Sequence, residues 1–457
     1  MNAMWPRVES VLKLGFNDMY QRPPDYGPIV PEAPRGNVLG FQFIVDGPPR
    51  HGVQSGELRY FRCSGIGREL LRAMPDLPRV DGRPGTNVLL MSGSSWAGSS
   101  SRYHVSVPVG VILLPAEDHL KAVVGGTEMR FEFLQSGAGT ETLKLSGADL
   151  DERPEIIRRM VTRLGEPDHD GSILERELRE WPDARRRILL LVGSYDEAEL
   201  AADTLHTLSS RWKGRVVRLV SDDAEVVVGN DDERHAPVLR RGDVDTLRHT
   251  DAEILVAPLL AVERGHNILN DDKVAAIGSV FFLARPNPRP DDLGLAVHTV
   301  NDWLVRFTDS TDFAEHLREA TDVDEGASAI RKEARTRWYR ALARSLGWSS
   351  LGVDRDTVTW DLLVLIWQVI GRLVRGGVPA RVVFVDSAFA PETAAGKPAD
   401  ETFATSLLHN IHAVLTPYLT ADSTESAHDR YIVDALYRPL WAALDRLLND
   451  RTSECTL

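Results

Sequence analysis

Arg185-Arg186-Arg187-Ile188-Leu189-Leu190-Leu191-Val192-Gly193-Ser194-Tyr195 is the stretch on which the architecture turns. Three arginines lead into five branched apolar residues, and the run stops at Gly193-Ser194. An unbroken apolar run of this length, with no polar alternation, reads as a strand covered on both faces. From Asp196 to Arg211 the apolar positions Ala198, Ala201, Ala202, Leu205 and Leu208 share one helical face. Arg215 to Val220 is apolar again. Strand, helix and strand in this order make a β-α-β unit, expected to be parallel and right-handed.

Farther along the chain, Ile254–Ala257, Ser279–Ala284 and 381–385 repeat the same kind of short apolar run between helical segments. With 188–192 and 215–220 they predict one mainly parallel sheet flanked by helices, an α/β fold. Helices are expected at 154–164, 172–181, 293–319, 327–346, 357–375, 401–418 and 428–448. Those at 293–319 and 327–346 form a helical insertion at about 293–356, too long to be a plain loop. Met129–Leu134 and Thr142–Leu145 suggest a β-pair, and 222–250 reads as polar connection. The N-terminal part is irregular α+β. It has short helices at 5–16 and 66–74, strands at 38–45 and 57–63, and Pro- and Gly-rich loops between. Asn87–Met91 reads as a buried strand ending in the small-residue loop Ser92–Trp96, and 103–115 as a strand-rich crossover. The expected domains are 1–115, 116–390 and 391–457.

The chain of 457 residues is long enough for two to four domains. Its net charge of −14 argues against a broad, non-specific nucleic-acid coat but leaves room for a local groove. Ten of the basic residues lie at 331, 332, 335, 337, 340, 344, 355, 372, 375 and 381, with four acidic ones at 333, 354, 356 and 361. The two cysteines, Cys63 and Cys455, are far apart, which argues against a disulfide framework and points to a reducing compartment, the cytoplasm. No apolar run approaches the ~20 residues of a membrane span, and 1–15 lacks a signal-peptide core. No metal site is expected, since His266 has no second ligand at useful spacing.

The most chemical stretch is Trp367-Gln368-Val369-Ile370-Gly371-Arg372-Leu373-Val374-Arg375. Trp360, Leu363, Val364, Trp367, Ile370, Gly371 and Val374 form an apolar stripe, while Gln368, Arg372 and Arg375 fall at i, i+4 and i+7 on a second face. Guanidinium groups beside an apolar stripe are costly unless something anionic meets them. Gly371 leaves room for another backbone or a ligand. The bland reading is an amphipathic helix whose arginines pair with carboxylates.

Gln368, Gly371, Arg372 and Arg375 resemble motif VI of superfamily 2 helicases, Q-x-x-G-R-x-x-R, whose arginines reach the γ-phosphate of ATP. Other pieces follow in the family's order. Ser92-Gly93-Ser94 resembles motif III of DinG-like helicases, and Ser194-Tyr195 after its strand resembles motif IV. Arg264-Gly265-His266-Asn267 resembles motif V, in the form found in DinG-like helicases beside PIWI-type proteins of prokaryotic defence islands. The resemblance covers roughly 87–390. It implies RecA-like domains, catalytic Arg372 and Arg375, and nucleotide-binding Gln368, Gly371, Arg264, Gly265 and Asn267. Ser194 and Tyr195 would face single-stranded nucleic acid, DNA in such helicases; independently of the resemblance, the clustered basic residues of the insertion offer Arg335, Arg337 and Arg340 to its backbone.

Two parts of the pattern are missing. There is no Walker A loop, since Gly396-Lys397 runs into Pro398 without the upstream glycine, and Glu117-Asp118-His119 fails the acidic-box pattern. Nothing then cradles the β-phosphate or holds magnesium. Three readings follow. The chain is the C-terminal half of a split or truncated DinG-like helicase, using ATP and Mg only with a partner polypeptide that supplies the ATP-binding half, with defence proteins as further partners. Or it is a non-catalytic RecA-like scaffold for nucleic acid or protein. Or it is an unrelated α/β scaffold.

Overall fold

The computed structural model describes residues 37–45, 56–64, 74–76, 79, 82–137, 141–222, 224, 234–263, 267–286, 293–343, 348–421 and 424–449. The expected helices at 5–16 and 66–74 lie outside these, apart from Met74. The chain divides into two compact units, 1–108 with 288–346, and 109–287 with 347–457.

The larger unit is built on a seven-stranded sheet in which every pairing is parallel. Its strands are β3 (Glu128–Phe131), β4 (Ile188–Val192), β5 (Val216–Val220), β6 (Val238–Arg240), β7 (Ile254–Pro258), β8 (Ser279–Phe282) and β9 (Arg381–Phe384), in the spatial order β3-β9-β8-β4-β7-β5-β6. All five expected strands therefore share one sheet, an α/β architecture consistent with that of a RecA-like domain. β4 sits mid-sheet with every residue buried, as its unbroken apolar run demands. The outermost strands, β3 and β6, show only partial burial, as edge strands do.

Helices cover both faces because each parallel crossover must leave the sheet and return. They are α1 (Glu117–Gly126), α2 (Arg153–Gly165), α3 (Ile173–Arg179), α4 (Tyr195–Leu208) and α5 (Leu259–Glu263), then α9 (Arg355–Leu373), α10 (Pro391–Ala394), α11 (Leu407–Leu419) and α12 (Ala427–Asn449). α2 and α4 pack together on β4 through Ile157, Met160, Val161, Leu164, Ala198, Ala201, Ala202 and Leu205. A capping box at Ser172 and Glu175 starts α3.

The smaller unit holds α6 (Leu293–Thr308), α7 (Thr311–Glu319) and α8 (Val323–Ala343), with the antiparallel pair β1 (Asn37–Val45) and β2 (Gly56–Ser64). Its loop 94–105 is fastened to α6, Arg306 Nη2 donating to Gly98 O at 3.1 Å and Ser101 Oγ lying 3.3 Å from Thr299 Oγ1. The small-residue loop after Met91 thus packs with the helical insertion, a grouping that sequence order conceals.

Four expectations need correction. Residues 87–91 form no strand, and Leu89 and Met91 are about four-fifths exposed. No strand forms over 103–115 either. The β-pair reduces to one antiparallel bridge between Gln135 and Thr142, while 128–131 joins β9 in parallel. The polar stretch 222–250 conceals β6, whose pairing with β5 needs only the buried Leu239 on its inner face.

Candidate functional site

The carboxyl edge of a doubly wound sheet is where ligands ordinarily bind. Here much of that edge is occupied by the protein itself. Asp386, fully buried just past β9, accepts backbone N–H bonds from Leu145 at 3.2 Å, Ser146 at 2.9 Å, Arg285 at 3.1 Å and Ala388 at 3.0 Å. One carboxylate thereby pins 145–146 across the ends of β8 and β9. Arg285, its positive charge disfavoured by burial, donates to Ala388 O at 3.1 Å and lies over the Trp348 ring.

At the end of β4 the turn Gly193-Ser194 leads into α4, the position where a phosphate would meet a helix N-terminus. An internal carboxylate takes that place. Gly193 N donates to Glu197 Oε2 at 2.7 Å, and Arg153 Nε holds Glu197 Oε1 at 2.7 Å. Arg153 also reaches Leu145 O at 2.9 Å. Ser194 is the N-cap of α4, its Oγ accepting from Glu197 N at 3.2 Å, and Tyr195 is the first, half-buried residue of that helix.

The other expected groups gather at the opposite, amino edge. α9 ends at Leu373 rather than at 375, because Val374 leaves helical geometry and Gly376 and Gly377 adopt φ of 82° and 74°. These left-handed conformations suit glycine as the chain turns into β9. A Cβ at Gly376 would also strike Val274, and one at Gly377 would strike His119. Arg375 therefore leaves the i, i+4, i+7 stripe and stands exposed beyond the helix, while Gln368 and Arg372 remain half-buried on α9. Space around Gly371 is open: a Cβ added there would meet nothing within 4 Å.

Against this end of α9 lies the segment that follows α5. Ala276 N bonds Ile268 O, Leu269 bridges Ala275, and Ala275 N donates to Arg375 O at 3.0 Å. α5 packs on α9 as well. Exposed Asn267 and Arg375 are thus brought onto neighbouring segments, whereas Ser194 and Tyr195 sit at the far edge of the sheet. Arg264 and Gly265 lie outside the described residues.

Sequence reasoning passed over the residue that holds this edge together, Arg185. Its guanidinium donates to Ala275 O at 3.0 Å, Ile277 O at 3.2 Å, Leu373 O at 3.1 Å and Pro379 O at 2.8 Å. It thereby caps the carbonyl end of α9, where the helix dipole favours a cation, and binds that end to the segment carrying Asn267. The ring of Trp181 lies 4.7 Å away. Burial lowers the Arg185 pKa to about 10. The signal available in the sequence was three arginines in front of a fully buried strand.

A second network stands beside it. Glu177, fully buried, takes Arg130 Nη2 at 2.9 Å and Arg381 Nη1 at 3.2 Å, together with the hydroxyl of Ser279. Trp181 Nε1 donates to Ser279 Oγ at 2.7 Å. Arg381 is also held by Glu128 at 2.9 Å. The basic run 331–381 is therefore not one surface: Arg381 is an internal ion-pair partner, and Arg355 lies over the Phe403 ring. On α8, Arg337 pairs with Glu333 at 2.9 Å and stacks 4.8 Å from the Trp303 centroid, while Arg335 and Arg340 are exposed.

Glu199, Asp203 and His235 bring ligand-type atoms within 4.8 Å of one another. Arg218 already pairs with Glu199 at 2.8 Å, and Ala236 N donates to Asp203 at 2.8 Å. These bonds tie α4 to β5 and to the chain entering β6. Among the described residues no helix is long and apolar enough to cross a membrane. No family model matches the chain, and no curated protein matches it.

Proposed function

We propose that the chain is the C-terminal, arginine-supplying half of a DinG-like helicase, acting on single-stranded nucleic acid together with a polypeptide that carries the Walker A loop and the acidic box. The observation that carries this reading is the amino-edge cluster. Gln368, Gly371, Arg372 and Arg375 at the end of α9 and Asn267 on the neighbouring segment are the motif VI and motif V candidates, and Arg185 secures both. In such an assembly Arg372 and Arg375 neutralise charge developing on the transferred phosphoryl group, which needs a fixed guanidinium more than covalent chemistry. Open space at Gly371 and the exposure of Arg375 and Asn267 suit a ligand or partner arriving from that side.

The occupied carboxyl edge supports the division of labour. With Glu197 already on the N–H of Gly193, this domain offers no vacant anion cradle at its β4-α4 turn. ATP and magnesium then depend on the partner chain. The test is hydrolysis of radiolabelled ATP by the purified chain, alone and mixed with a Walker A-bearing partner polypeptide from the same source, with single-stranded DNA present. The expected result is no turnover alone and DNA-stimulated turnover in the mixture. Turnover by the chain alone would overturn the split-site reading. Tight single-strand binding with no partner-dependent hydrolysis would favour the alternative, a non-catalytic RecA-like scaffold.

A further inference from the structure

The helix α8 presents two different faces to its surroundings. Ala334 and Trp338 are buried in the smaller unit, and Arg337 is drawn partly in by Glu333 and Trp303. On the other side Lys332, Arg335 and Tyr339 stand at i, i+3 and i+7, all exposed, on a single stripe. Among the described residues, a carboxylate pairs with Arg337 but with neither Lys332 nor Arg335. Tyr339 leaves 61% of its surface in water, unusual for a large ring that a neighbouring apolar face could cover. At 1.5 Å per residue, the stripe from Lys332 to Tyr339 is about 10 Å long.

We infer that this stripe is a track for single-stranded nucleic acid, with Lys332 and Arg335 on backbone phosphates and the Tyr339 ring as a platform for one base. Two cations beside an exposed aromatic, in a chain of net charge −14, match the two chemical features every strand repeats, a phosphate and a π-face. An acidic peptide would satisfy the cations but give the ring nothing to stack on. A duplex keeps its bases stacked on one another, so the ring selects for a single strand. The stripe therefore differs from the arginine triad expected at 335, 337 and 340: Arg337 is engaged within the unit, and Lys332 and Tyr339 take its place. The inference rests on the reading of the chain as a nucleic-acid-handling protein but needs neither ATP nor a partner.

The experiment is fluorescence anisotropy of the full chain with a labelled oligo(dT) 20-mer, an oligo(U) of equal length and a 20-base-pair duplex, over a salt series. Circular dichroism checks each variant for folding. The single strands should bind more tightly than the duplex, and their ratio distinguishes DNA from RNA as the preferred strand. K332Q/R335Q should reduce the slope of log affinity against log salt by about 1.4, two released counterions at ~0.7 each. Tyr339→Ala should weaken binding roughly 5- to 100-fold with the slope unchanged, and Tyr339→Phe should restore it. Lys121→Gln on α1, whose lysine already pairs with Glu117 at 2.6 Å, serves as the charge control and should leave binding as in the native chain. Tighter duplex binding, an unchanged slope in the double variant, native affinity in Tyr339→Ala, or no binding by the native chain would each overturn the inference. Binding that persists while partner-dependent hydrolysis fails would leave it standing and remove only the helicase reading.

Discussion

Replacing Arg185 with methionine keeps an unbranched apolar stem and deletes the guanidinium. Four backbone carbonyls, those of Ala275, Ile277, Leu373 and Pro379, lose a cationic donor at once. Hydrogen bonds to charged groups contribute about 1.5 kcal/mol each at the lower end of their range, so the gross loss is ~6 kcal/mol. Part is recovered, because the charge is no longer held out of water. The lowering of its pKa by burial, to about 10, corresponds to roughly 3 kcal/mol against the charged form. The net expectation is a destabilisation of about 3 kcal/mol. Urea unfolding at neutral pH, followed by tryptophan fluorescence, reads it as a lower midpoint at unchanged slope. Arg185→Lys should recover only part of the loss, since an ammonium cannot span four acceptors in a plane. A loss below about 1 kcal/mol in Arg185→Met would refute the claim that this guanidinium clamps α9 to the segment carrying Asn267.

Asp386→Asn places an amide where four N–H donors converge, and should cost about 2–4 kcal/mol in the same unfolding assay by leaving buried donors without a charged acceptor. Glu132→Gln should raise the melting temperature at pH 7 and have little effect at pH 3.5. Burial raises the Glu132 pKa above the ordinary carboxylate value, so the native state binds more protons than the unfolded one, and stability is lost as pH rises through the folded pKa. Gly371→Ala should stabilise the isolated chain by about 1 kcal/mol, since the gap accepts a methyl group and alanine favours helix. A fall in partner-dependent hydrolysis by the same variant would indicate that a ligand or partner uses that gap.

The fold was legible where apolar runs were long and unbroken. Ile188–Val192 and its parallel neighbours declared themselves because strands buried on both faces exclude polar residues. β6 was hidden because an edge strand three residues long needs only Leu239 inside. Asn87–Met91 misled for the converse reason: apolar residues make a strand only when a neighbouring strand supplies hydrogen bonds, and none does so among the described residues. The candidate site was legible in part. The Gln368–Arg375 pattern located the helix end, but helical spacing was carried two residues too far, past the point where the chain turns toward its glycines. Arg185 escaped notice because its partners are carbonyl groups, which leave no mark in side-chain identity. The companionship of the 94–105 loop with α6 depends on tertiary packing across about 200 positions, beyond the reach of local patterns.

On the proposed function, Arg372 and Arg375 act on a phosphate that another polypeptide holds. Steady-state ATP hydrolysis by the reconstituted pair, with single-stranded DNA present, tests it most directly. An arginine delivered to a phosphoryl-transfer site is worth about 10³–10⁵ in rate. Arg372→Ala should therefore lower turnover by at least ~10³-fold while nucleotide affinity changes far less, and Arg372→Lys should rescue little. Near-native turnover in both Arg372→Ala and Arg375→Ala, with both variants folded, would contradict the account and leave α9 as an ordinary core helix with an arginine-rich end.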